Sequence, residues 1–271
     1  MSQEVERVYP MELSVVNKYY VAKDLLRVTL TGERLSEFPN QCNGAHIKVF
    51  FPNVESGILQ LPIREGRTVI WPEHKPVARA YTVREYRRQQ LELDIDFVDH
   101  GDGSVASRWA RHAQVGDTLG LVGPGGPDPL LAPADWHFLA GDLTALPAIS
   151  AILEMLPASA KGEVFIEVDD LDNQHPLTHP KHINIHWLER EKGVGETSPL
   201  YLALNSVKPP HGLSMSAFIA GENNTVVACR NLLKSRFALS RKEMYAIPYW
   251  CRGKNEEAYH HDRHEVMDEE Y

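Results

Sequence analysis

The sequence predicts a two-domain protein of the β plus α/β class, in which an N-terminal antiparallel β-barrel precedes a doubly wound parallel sheet. Three observations support this prediction. Short strand-like apolar segments occupy residues 12–123, whereas apolar runs alternate with segments of helical spacing from residue 137 onward. Between the two patterns, the glycine- and proline-rich run 123–129 should break all regular structure. We therefore predict two domains, 1–129 and 130–271.

The barrel strands are predicted from short apolar segments with extended spacing. The segment 91–97 shows this best, because its apolar and acidic residues alternate strictly. A strand with this period of two buries one face and exposes the other. Gly116-Asp117 is a turn signal that precedes one more strand. The predicted barrel strands are 26–30, 45–51, 80–83, 91–97 and 118–122.

The second domain is predicted from alternating β and α patterns. Short apolar runs suit buried strands, and the apolar residues of 225–237 lie near helical spacing. Such alternation indicates parallel strands joined by helices. The predicted strands are 137–140, 163–168, 183–188, 217–220 and 244–250, and the predicted helices are 146–156 and 225–237. A barrel followed by such a sheet is the plan of the ferredoxin reductase superfamily.

Composition and charge narrow the class of function. The 271 residues are 43% hydrophobic and 24% charged, as in ordinary soluble globular proteins. No apolar run approaches the roughly 20 residues that cross a bilayer, so we expect a cytoplasmic protein with no stable membrane association. The net charge of −9 argues against nucleic-acid binding, and any anionic ligand needs a local basic pocket. Cys42, Cys229 and Cys251 are far apart and are expected to be reduced and structural.

The segment Arg79-Ala-Tyr-Thr-Val-Arg84 carries the first specific chemistry. A strand directs alternate side chains to one face, so Arg79, Tyr81 and Val83 should point together. An arginine can fork onto a pyrophosphate oxygen, and a tyrosine can meet a flavin. Thr82 reaches flavin N5 or O4 only if the strand kinks. The alternative is an exposed strand whose arginine pairs with a carboxylate, and this segment alone favours that alternative.

A second segment, His100-Gly-Asp-Gly-Ser-Val-Ala-Ser-Arg-Trp-Ala110, ends a strand in a double-glycine turn and begins a helix. Glycines let the backbone approach a phosphate, and the unpaired N–H groups of a helix start form an anion site with the helix dipole. Ser104 can cap the helix. A turn followed by a helix is common without a ligand, so this segment alone is weak evidence. Together the two segments would bracket an FAD pyrophosphate.

Several blocks with distinctive sequence occur over almost the whole chain. They are Gly44-Ala-His-Ile-Lys-Val-Phe-Phe-Pro52, Arg79-Ala-Tyr-Thr82, Asp96-Phe-Val-Asp-His-Gly101, Trp109-Ala110, Gly123-Pro124, Ala140-Gly-Asp-Leu-Thr-Ala-Leu-Pro-Ala148, Ala220-Gly-Glu222, Tyr249-Trp250 and Arg252-Gly-Lys254. In these blocks and their order the chain resembles the siderophore-interacting proteins, which are FAD-dependent ferric-siderophore reductases of the ferredoxin reductase superfamily. The resemblance implies an FAD-binding barrel and a nicotinamide-nucleotide-binding second domain.

The resemblance also implies cofactor contacts at matching positions. His100 is included only as a residue beside the cofactor, and no catalytic residue is expected, because the flavin carries the chemistry. The implied FAD contacts are Arg79, Tyr81 and Thr82 on the flavin, His100 beside the cofactor, and Gly101, Gly103, Ser104, Val105 and Ala106 on the pyrophosphate. Ala80, Asp96 and Val98 are further implied cofactor contacts.

The electron donor is predicted to meet the turn at the start of the second domain. Nucleotides dock against helix N–H groups at the carboxyl end of a parallel strand, so Asp142, Thr144 and Ala145 are the candidate contacts. An equal alternative is that Asp142 or Thr144 only caps the helix. The turn lacks G-x-G-x-x-G, and Leu143 departs from the family's usual Gly-Asp-Glu-Thr. NADH, NADPH and a reduced ferredoxin all stay open as donors.

The substrate implied by the resemblance is a ferric siderophore, which is often anionic and therefore needs locally gathered basic residues. The implied contacts are Lys48, Arg252 and Lys254. For Lys48 the alternative is a solvated position on the outer side of the barrel. Two departures from the family affect this site: Gly125 stands where many relatives carry arginine, and Cys251 stands where a basic residue is frequent.

The tail 255–271 is predicted to be helical. His260 and His264 would share one helical face, which would allow a metal site. The neighbouring Asp262, Glu265 and Asp268 favour a solvated helix of mixed charge instead, so we predict no metal.

The function expected from these patterns is FAD-dependent reduction of ferric siderophores by a cytoplasmic monomer. Electrons would pass from the donor through the flavin to Fe(III), and Fe(II) would be released. Two alternatives differ in class: a flavin electron-transfer enzyme with a different acceptor, and a siderophore carrier that has lost the cofactor. Retention of Arg79-Ala-Tyr-Thr82 argues against the carrier.

Overall fold

A computed structural model of the chain describes residues 7–66, 68–209, 211–254 and 259. The chain divides into two compact units, a first unit that ends at Gly126 and a second unit that begins at Pro127. This division lies three residues before the boundary predicted from the sequence.

The first unit is an antiparallel β-structure. Seven strands form one sheet in the order β7-β4-β10-β2-β3-β9-β8, and β1, β5 and β6 form a small separate sheet. Within the described residues its elements are β1 (Arg7–Val8), β2 (Met11–Ala22), β3 (Leu25–Thr31), β4 (His46–Phe51), β5 (Ile63–Glu65), β6 (Thr68–Ile70), β7 (Val77–Thr82), β8 (Glu85–Arg87), β9 (Glu92–Val98), α1 (Val105–His112) and β10 (Thr118–Gly125).

The two edge strands of the large sheet, β7 and β8, belong to one continuous segment, 77–87. Its first half pairs with β4 and its second half pairs with β9. The linking residues continue both ladders, because Val83 N donates to Ala45 O and Arg84 N donates to Asp94 O, each at 2.9 Å. The antiparallel fold is confirmed, and this continuous segment joins the two edges of the sheet.

The core of the first unit follows the alternation of its strands. On β9, Leu93, Ile95 and Phe97 are fully buried, as the alternating pattern predicts. Asp94 and Asp96 lie on the other face but are also buried. Burial raises the pKa of Asp94, but hydrogen bonds from Arg87 and Thr29 outweigh this effect and hold the pKa below its ordinary value.

Two elements of the first unit differ from the prediction. The strand β10 does not stop at Val122 but continues through Gly123 and Pro124 to Gly125, with a shift in its register against β4. The sequence pattern also does not predict β2, which is the longest strand described. Two register shifts against β3 interrupt the alternation of β2, so its period of two is hidden in the sequence.

The second unit is a five-stranded parallel sheet in the order β13-β12-β11-β14-β15, with helices between strands. The predicted doubly wound sheet is confirmed. The strand order reverses between β11 and β14, which in such folds marks the ligand edge of the sheet. Its elements are β11 (Trp136–Asp142), α2 (Leu146–Met155), β12 (Lys161–Val168), β13 (His182–Glu189), α3 (Pro199–Ser206), β14 (Met215–Glu222), α4 (Asn223–Phe237) and β15 (Met244–Trp250).

The helix α3 is absent from the sequence prediction, although its start carries clear signals. Ser198 caps it by accepting a hydrogen bond from Tyr201 N at 3.1 Å, and Pro199 is its first residue. The predicted helical tail and its histidines lie outside the described residues, apart from Tyr259. The Tyr259 hydroxyl donates to Asn223 Oδ1 at 2.8 Å, and the residue is buried. Within the described part of the chain, none of the helices has the length and apolar character required to cross a membrane.

Replacing Phe97 by alanine should destabilise the first unit by about 3–5 kcal/mol, the usual cost of deleting a buried aromatic ring. The ring is fully buried and contacts the rings of Tyr81, Phe51 and Trp109. Urea unfolding followed by tryptophan fluorescence measures the change. Phe97→Leu, which keeps much of the volume, should lose less. An unfolding midpoint for Phe97→Ala equal to that of the unsubstituted protein would contradict this account of the core.

Candidate functional site

The side chains of the predicted flavin motif alternate between the two faces of β7. The register places Arg79 opposite Val49 and Tyr81 opposite Ile47, both core residues of β4. Arg79 and Tyr81 are half-buried, and the Arg79 guanidinium donates to Ala78 O at 2.8 Å. On the other face Ala80 is exposed, whereas Thr82 is buried. The alternation expected from the sequence is therefore present in the strand.

The turn after β9 leads into α1 through glycine. Val98 is half-buried, His100 is exposed, and 101–103 form a single 3-10 turn. Asp99 fixes this turn: its Oδ1 accepts from Gly101 N at 2.8 Å and from the Ser107 hydroxyl at 3.1 Å. Its Oδ2 accepts from the Tyr20 hydroxyl at 2.6 Å. Sequence reasoning missed Asp99, although an aspartate two residues before a glycine N–H is a known turn signal.

The start of α1 has no side-chain cap. Ser104 has the extended conformation of a cap residue, but its side chain makes no cap hydrogen bond in the structure. The N–H groups of Ala106 and Ser107, which a cap side chain can bond, therefore receive no hydrogen bond from the Ser104 hydroxyl. Position 103 faces open space, since a Cβ there would have no atom within 4 Å. Close backbone approach and an uncapped helix start suit a pyrophosphate, so these residues fit the phosphate part of FAD.

An aromatic cluster connects the two predicted FAD segments. The Tyr81 and Phe97 ring centroids are 4.6 Å apart, and those of Phe97 and Trp109 are 6.0 Å apart. Phe51 contacts all three rings. Tyr81 belongs to β7 and Trp109 belongs to α1, so the structure packs the two segments predicted to bind FAD on the same core. Edge-to-face and tilted contacts of this kind are favourable arrangements for aromatic rings.

Asp96, a predicted cofactor contact, has a buried carboxylate with a partner of its own. Arg27 donates to both carboxylate oxygens, at 2.7 and 2.8 Å. This bidentate pair joins β3 to β9. The role of Asp96 toward the cofactor stays a prediction, and the structure shows what the side chain does within the unit.

Lys48 lies on the exposed face of β4, two residues from the exposed His46, while Ile47 and Val49 point into the core. Its neighbours across the sheet are Ala80 on β7 and Val122 on β10. Residues directly opposite one another share a face, so a predicted substrate residue and a predicted flavin residue come together on this surface.

The remaining predicted substrate residues, Arg252 and Lys254, follow β15 in the second unit and are exposed. The Arg252 N–H donates to Glu222 Oε1 at 3.4 Å, and Lys254 N donates to Cys251 O at 3.1 Å. Gly125 stands where many relatives carry arginine. The His46 ring fills the space that a side chain at this position would occupy.

The turn between β11 and α2 uses its polar groups internally. Thr144 N donates to Asp142 Oδ1, and Ala145 N donates to Asp142 O, each at 2.9 Å. Pro147 lies in the first turn of α2 and has no N–H to offer. Asp142, Thr144 and Ala145 therefore lie together, as predicted, but Thr144 and Ala145 have little donor capacity left for a nucleotide phosphate.

A buried acidic network occupies the same edge of the second sheet. Asp142 Oδ2 accepts from Trp250 Nε1 at 2.7 Å and from Glu222 N at 3.1 Å. Arg190 approaches that oxygen to 3.6 Å and bonds Glu167 Oε1 at 2.7 Å. Sequence reasoning missed Glu167 and Arg190, although a glutamate inside the apolar run 163–168 was the available signal. Buried carboxylates that share one arginine are unfavourable neighbours for an additional anion.

Comparison with known proteins decides the family. The model of the siderophore-interacting FAD-binding domain matches residues 14–128, and that of the siderophore-interacting protein matches residues 134–253. The chain is 61% identical to the ferric vibriobactin reductase ViuB of Vibrio cholerae over 100% of both chains. The chain belongs to the siderophore-interacting protein family.

Two further relatives support this assignment. The crystal structure of the siderophore-interacting protein SipS from Aeromonas hydrophila superimposes with a TM-score of 0.82 at 37% identity, covering 96% of this chain and 99% of that one. The NADPH-dependent ferric-chelate reductase of Escherichia coli is 35% identical, over 67% of this chain and 72% of its own. The resemblance seen in the sequence is therefore confirmed, and the first unit of this siderophore-interacting protein is its FAD-binding domain.

Replacing Asp99 by alanine should raise the dissociation constant for FAD about tenfold, because the lost hydrogen bonds leave the glycine turn unfixed. Burial raises the pKa of Asp99, but hydrogen bonds from Tyr20, Gly101 and Ser107 outweigh it and hold the pKa below its ordinary value. The ionised carboxylate thus stabilises the turn above pH about 4, and this contribution is lost as the pH falls through the lowered pKa.

Titration of the apoprotein with FAD, followed by quenching of flavin fluorescence, measures this change. Asp117→Ala is the matched control, because Asp117 also accepts from a backbone N–H, that of Gln114, after the other end of α1. Equal FAD affinities for the Asp99 and Asp117 variants would show that Asp99 does not organise the site.

Proposed function

We propose that this siderophore-interacting protein is an FAD-dependent reductase of ferric siderophores, an oxidoreductase that acts on metal ions. The observation that carries the proposal is the pairing of β7, which bears the flavin motif, with β4, which bears the exposed Lys48. The 61% identity to the ferric vibriobactin reductase ViuB, over 100% of both chains, supports the same reaction.

The residues of the first unit divide the work of holding FAD. Arg79 neutralises pyrophosphate charge, and the backbone N–H groups of Val105 and Ala106 at the start of α1 bind its oxygens. Tyr81 and Thr82 orient the flavin ring at the end of β7. Bound FAD supplies the redox chemistry that joins a two-electron donor to one-electron iron acceptors. The protein needs no acid, base or nucleophile, because electron transfer to iron breaks no covalent bond of the chelator.

The substrate residues act by charge. Lys48 attracts an anionic ferric complex to a protein whose net charge is −9. Arg252 and Lys254, in the second unit, are proposed as further substrate contacts. Lys48 positions the complex on the β4 surface beside the flavin strand. Fe(II) has a lower charge than Fe(III) and binds oxygen-donor chelators more weakly. Reduction therefore loosens the complex and releases the metal.

NADPH is the proposed electron donor, because the related ferric-chelate reductase of Escherichia coli is NADPH-dependent. A reduced ferredoxin is the alternative, and one specific observation favours it. The N–H groups of Thr144 and Ala145 are already bonded within the turn, and buried carboxylates surround that turn. A protein donor would not need those groups.

The proposed location is the cytoplasm. No disulfide joins the three cysteines, as is usual in a reducing compartment. Burial raises the pKa of Cys42 to about 11, so this thiol is not reactive at neutral pH. The monomeric state stays a prediction.

An anaerobic absorbance experiment tests the proposed function. The purified protein should be yellow with bound FAD, and its flavin bands should bleach on reduction and return when a ferric siderophore is added. A ferrous-specific chelator in the same cuvette should trap Fe(II). Failure to bind FAD would favour a siderophore carrier, and a flavin that stays reduced after iron addition would indicate a different acceptor.

Replacing Lys48 by alanine should raise the KM for an anionic ferric siderophore about tenfold, the cost of one charge-assisted contact, with little change in kcat. Steady-state assays at a fixed donor concentration separate the two constants. Lys181→Ala is the control, because Lys181 is an exposed lysine of the second unit. A Lys48 variant with an unchanged KM would remove Lys48 from the substrate site.

A further inference from the structure

The outer face of β4 carries a second side chain with hydrogen-bonding capacity beside Lys48. His46 and Lys48 are both exposed, and Ile47 between them is buried. Alternate residues of a strand point to the same side, so the imidazole and the ammonium group share one surface. His46 lies opposite Thr82 and Lys48 lies opposite Ala80. The imidazole and the ammonium group therefore lie beside β7, the strand that bears the predicted flavin motif.

An irregularity in β10 determines what lies beside His46. Val122 is opposite Lys48, and Gly125 is opposite His46. A regular antiparallel ladder would place residue 124 at that position, so β10 contains one extra residue. Such a β-bulge bends the strand and changes the direction of side chains near it. Here it brings a glycine against the histidine.

Gly125 provides space rather than an unusual backbone conformation. A Cβ atom at position 125 would lie 2.7 Å from Nε2 and 2.9 Å from Cε1 of His46, far closer than Cβ atoms approach other heavy atoms. The imidazole therefore lies across the Gly125 backbone. Gly125 does not have the positive φ of its neighbours Gly123 (131°) and Gly126 (115°), so its backbone conformation does not require glycine. The three atoms nearest to a Cβ at this position all belong to the His46 ring.

We infer that His46 is a second substrate-binding residue, whose ring N–H donates to an oxygen of the anionic ferric complex held at Lys48, and that Gly125 is the positioning residue that keeps the ring there. This inference rests on the proposed function and deepens it. An imidazole offers a directional N–H donor, whereas the lysine ammonium acts mainly as a point charge. His46 and Lys48 thus orient the complex as well as attracting it. The neighbouring Ala80 and Gly125 have small or no side chains, which leaves space for the complex on this surface.

A double-mutant cycle tests the inference. The probe is the ferric complex of 2,3-dihydroxybenzoate, and its dissociation constant is measured on the oxidised FAD-loaded protein by quenching of intrinsic fluorescence. His46→Ala should raise this constant about tenfold, and Gly125→Ala should raise it to a similar degree by displacing the ring. The double variant should be no weaker than either single variant, because both changes remove one contact.

Two controls make the result specific. His182→Ala removes an exposed histidine that also begins a strand, and it should leave the dissociation constant unchanged. The flavin spectrum of every variant should match that of the unsubstituted protein. The methyl group of Gly125→Ala could disturb β10 through its contact with the His46 ring. The double variant lacks this ring and therefore lacks this contact, so its dissociation constant still tests the inference.

The outcomes separate this inference from the proposed function. If the unsubstituted protein neither binds nor reduces the ferric complex, the proposed function and the inference both fall. If it does both, and His46→Ala binds as tightly as the unsubstituted protein, the inference alone is overturned. Independent, additive effects of the two substitutions would remove Gly125 as the positioning residue.

Discussion

The segment 77–87 is the constraint on which the arrangement of the first unit depends. Its first half pairs with β4 and its second half pairs with β9, so one continuous piece of chain forms both edges of the antiparallel sheet. The first half carries the predicted flavin motif, and the second half pairs with β9, the strand that ends at the predicted phosphate turn. The segment that joins the two edges of the sheet therefore also brings the two predicted FAD segments together.

The predicted cofactor and substrate residues are held by different means. The predicted flavin segments are fixed from within, by the aromatic cluster around Phe97 and by the hydrogen bonds of Asp99. Lys48 and His46 are placed by strand register on the exposed face of β4, where the His46 ring also lies against Gly125. This division suits the proposed reaction. A bound cofactor needs a rigid binding site, whereas a bulky complex that exchanges at each turnover needs an open surface with positive charge.

Sequence reasoning succeeded where local pattern and tertiary environment agree. The strict alternation of 91–97 and the apolar runs of the second unit are such cases, because one buried face imposes a visible period. It failed where local irregularity hides the period, as in β2 with its two register shifts and in β10 with its bulge. The helix α3 was missed despite its Ser-Pro start, because its eight residues are too few to establish a helical period.

Site residues were predictable to the extent that their role depends on neighbours in the sequence. The β7 motif and the glycine turn are contiguous, and their segments could be located directly. The Arg27 partner of Asp96, the Arg190 partner of Glu167 and the His46 partner of Gly125 are distant in sequence. Only strand pairing brings these partners together, and a single sequence contains no record of that pairing.

The central claim is that the ferric complex binds on the β4 surface beside the flavin strand. The most direct test is a crystal structure of the FAD-loaded protein with a gallium(III) siderophore, since Ga(III) has the charge of Fe(III) and is not reduced by the flavin. The account predicts the complex in contact with Lys48 and His46, next to a flavin that lies against Arg79, Tyr81 and Thr82. A complex bound away from β4, or a flavin that does not contact β7, would contradict it.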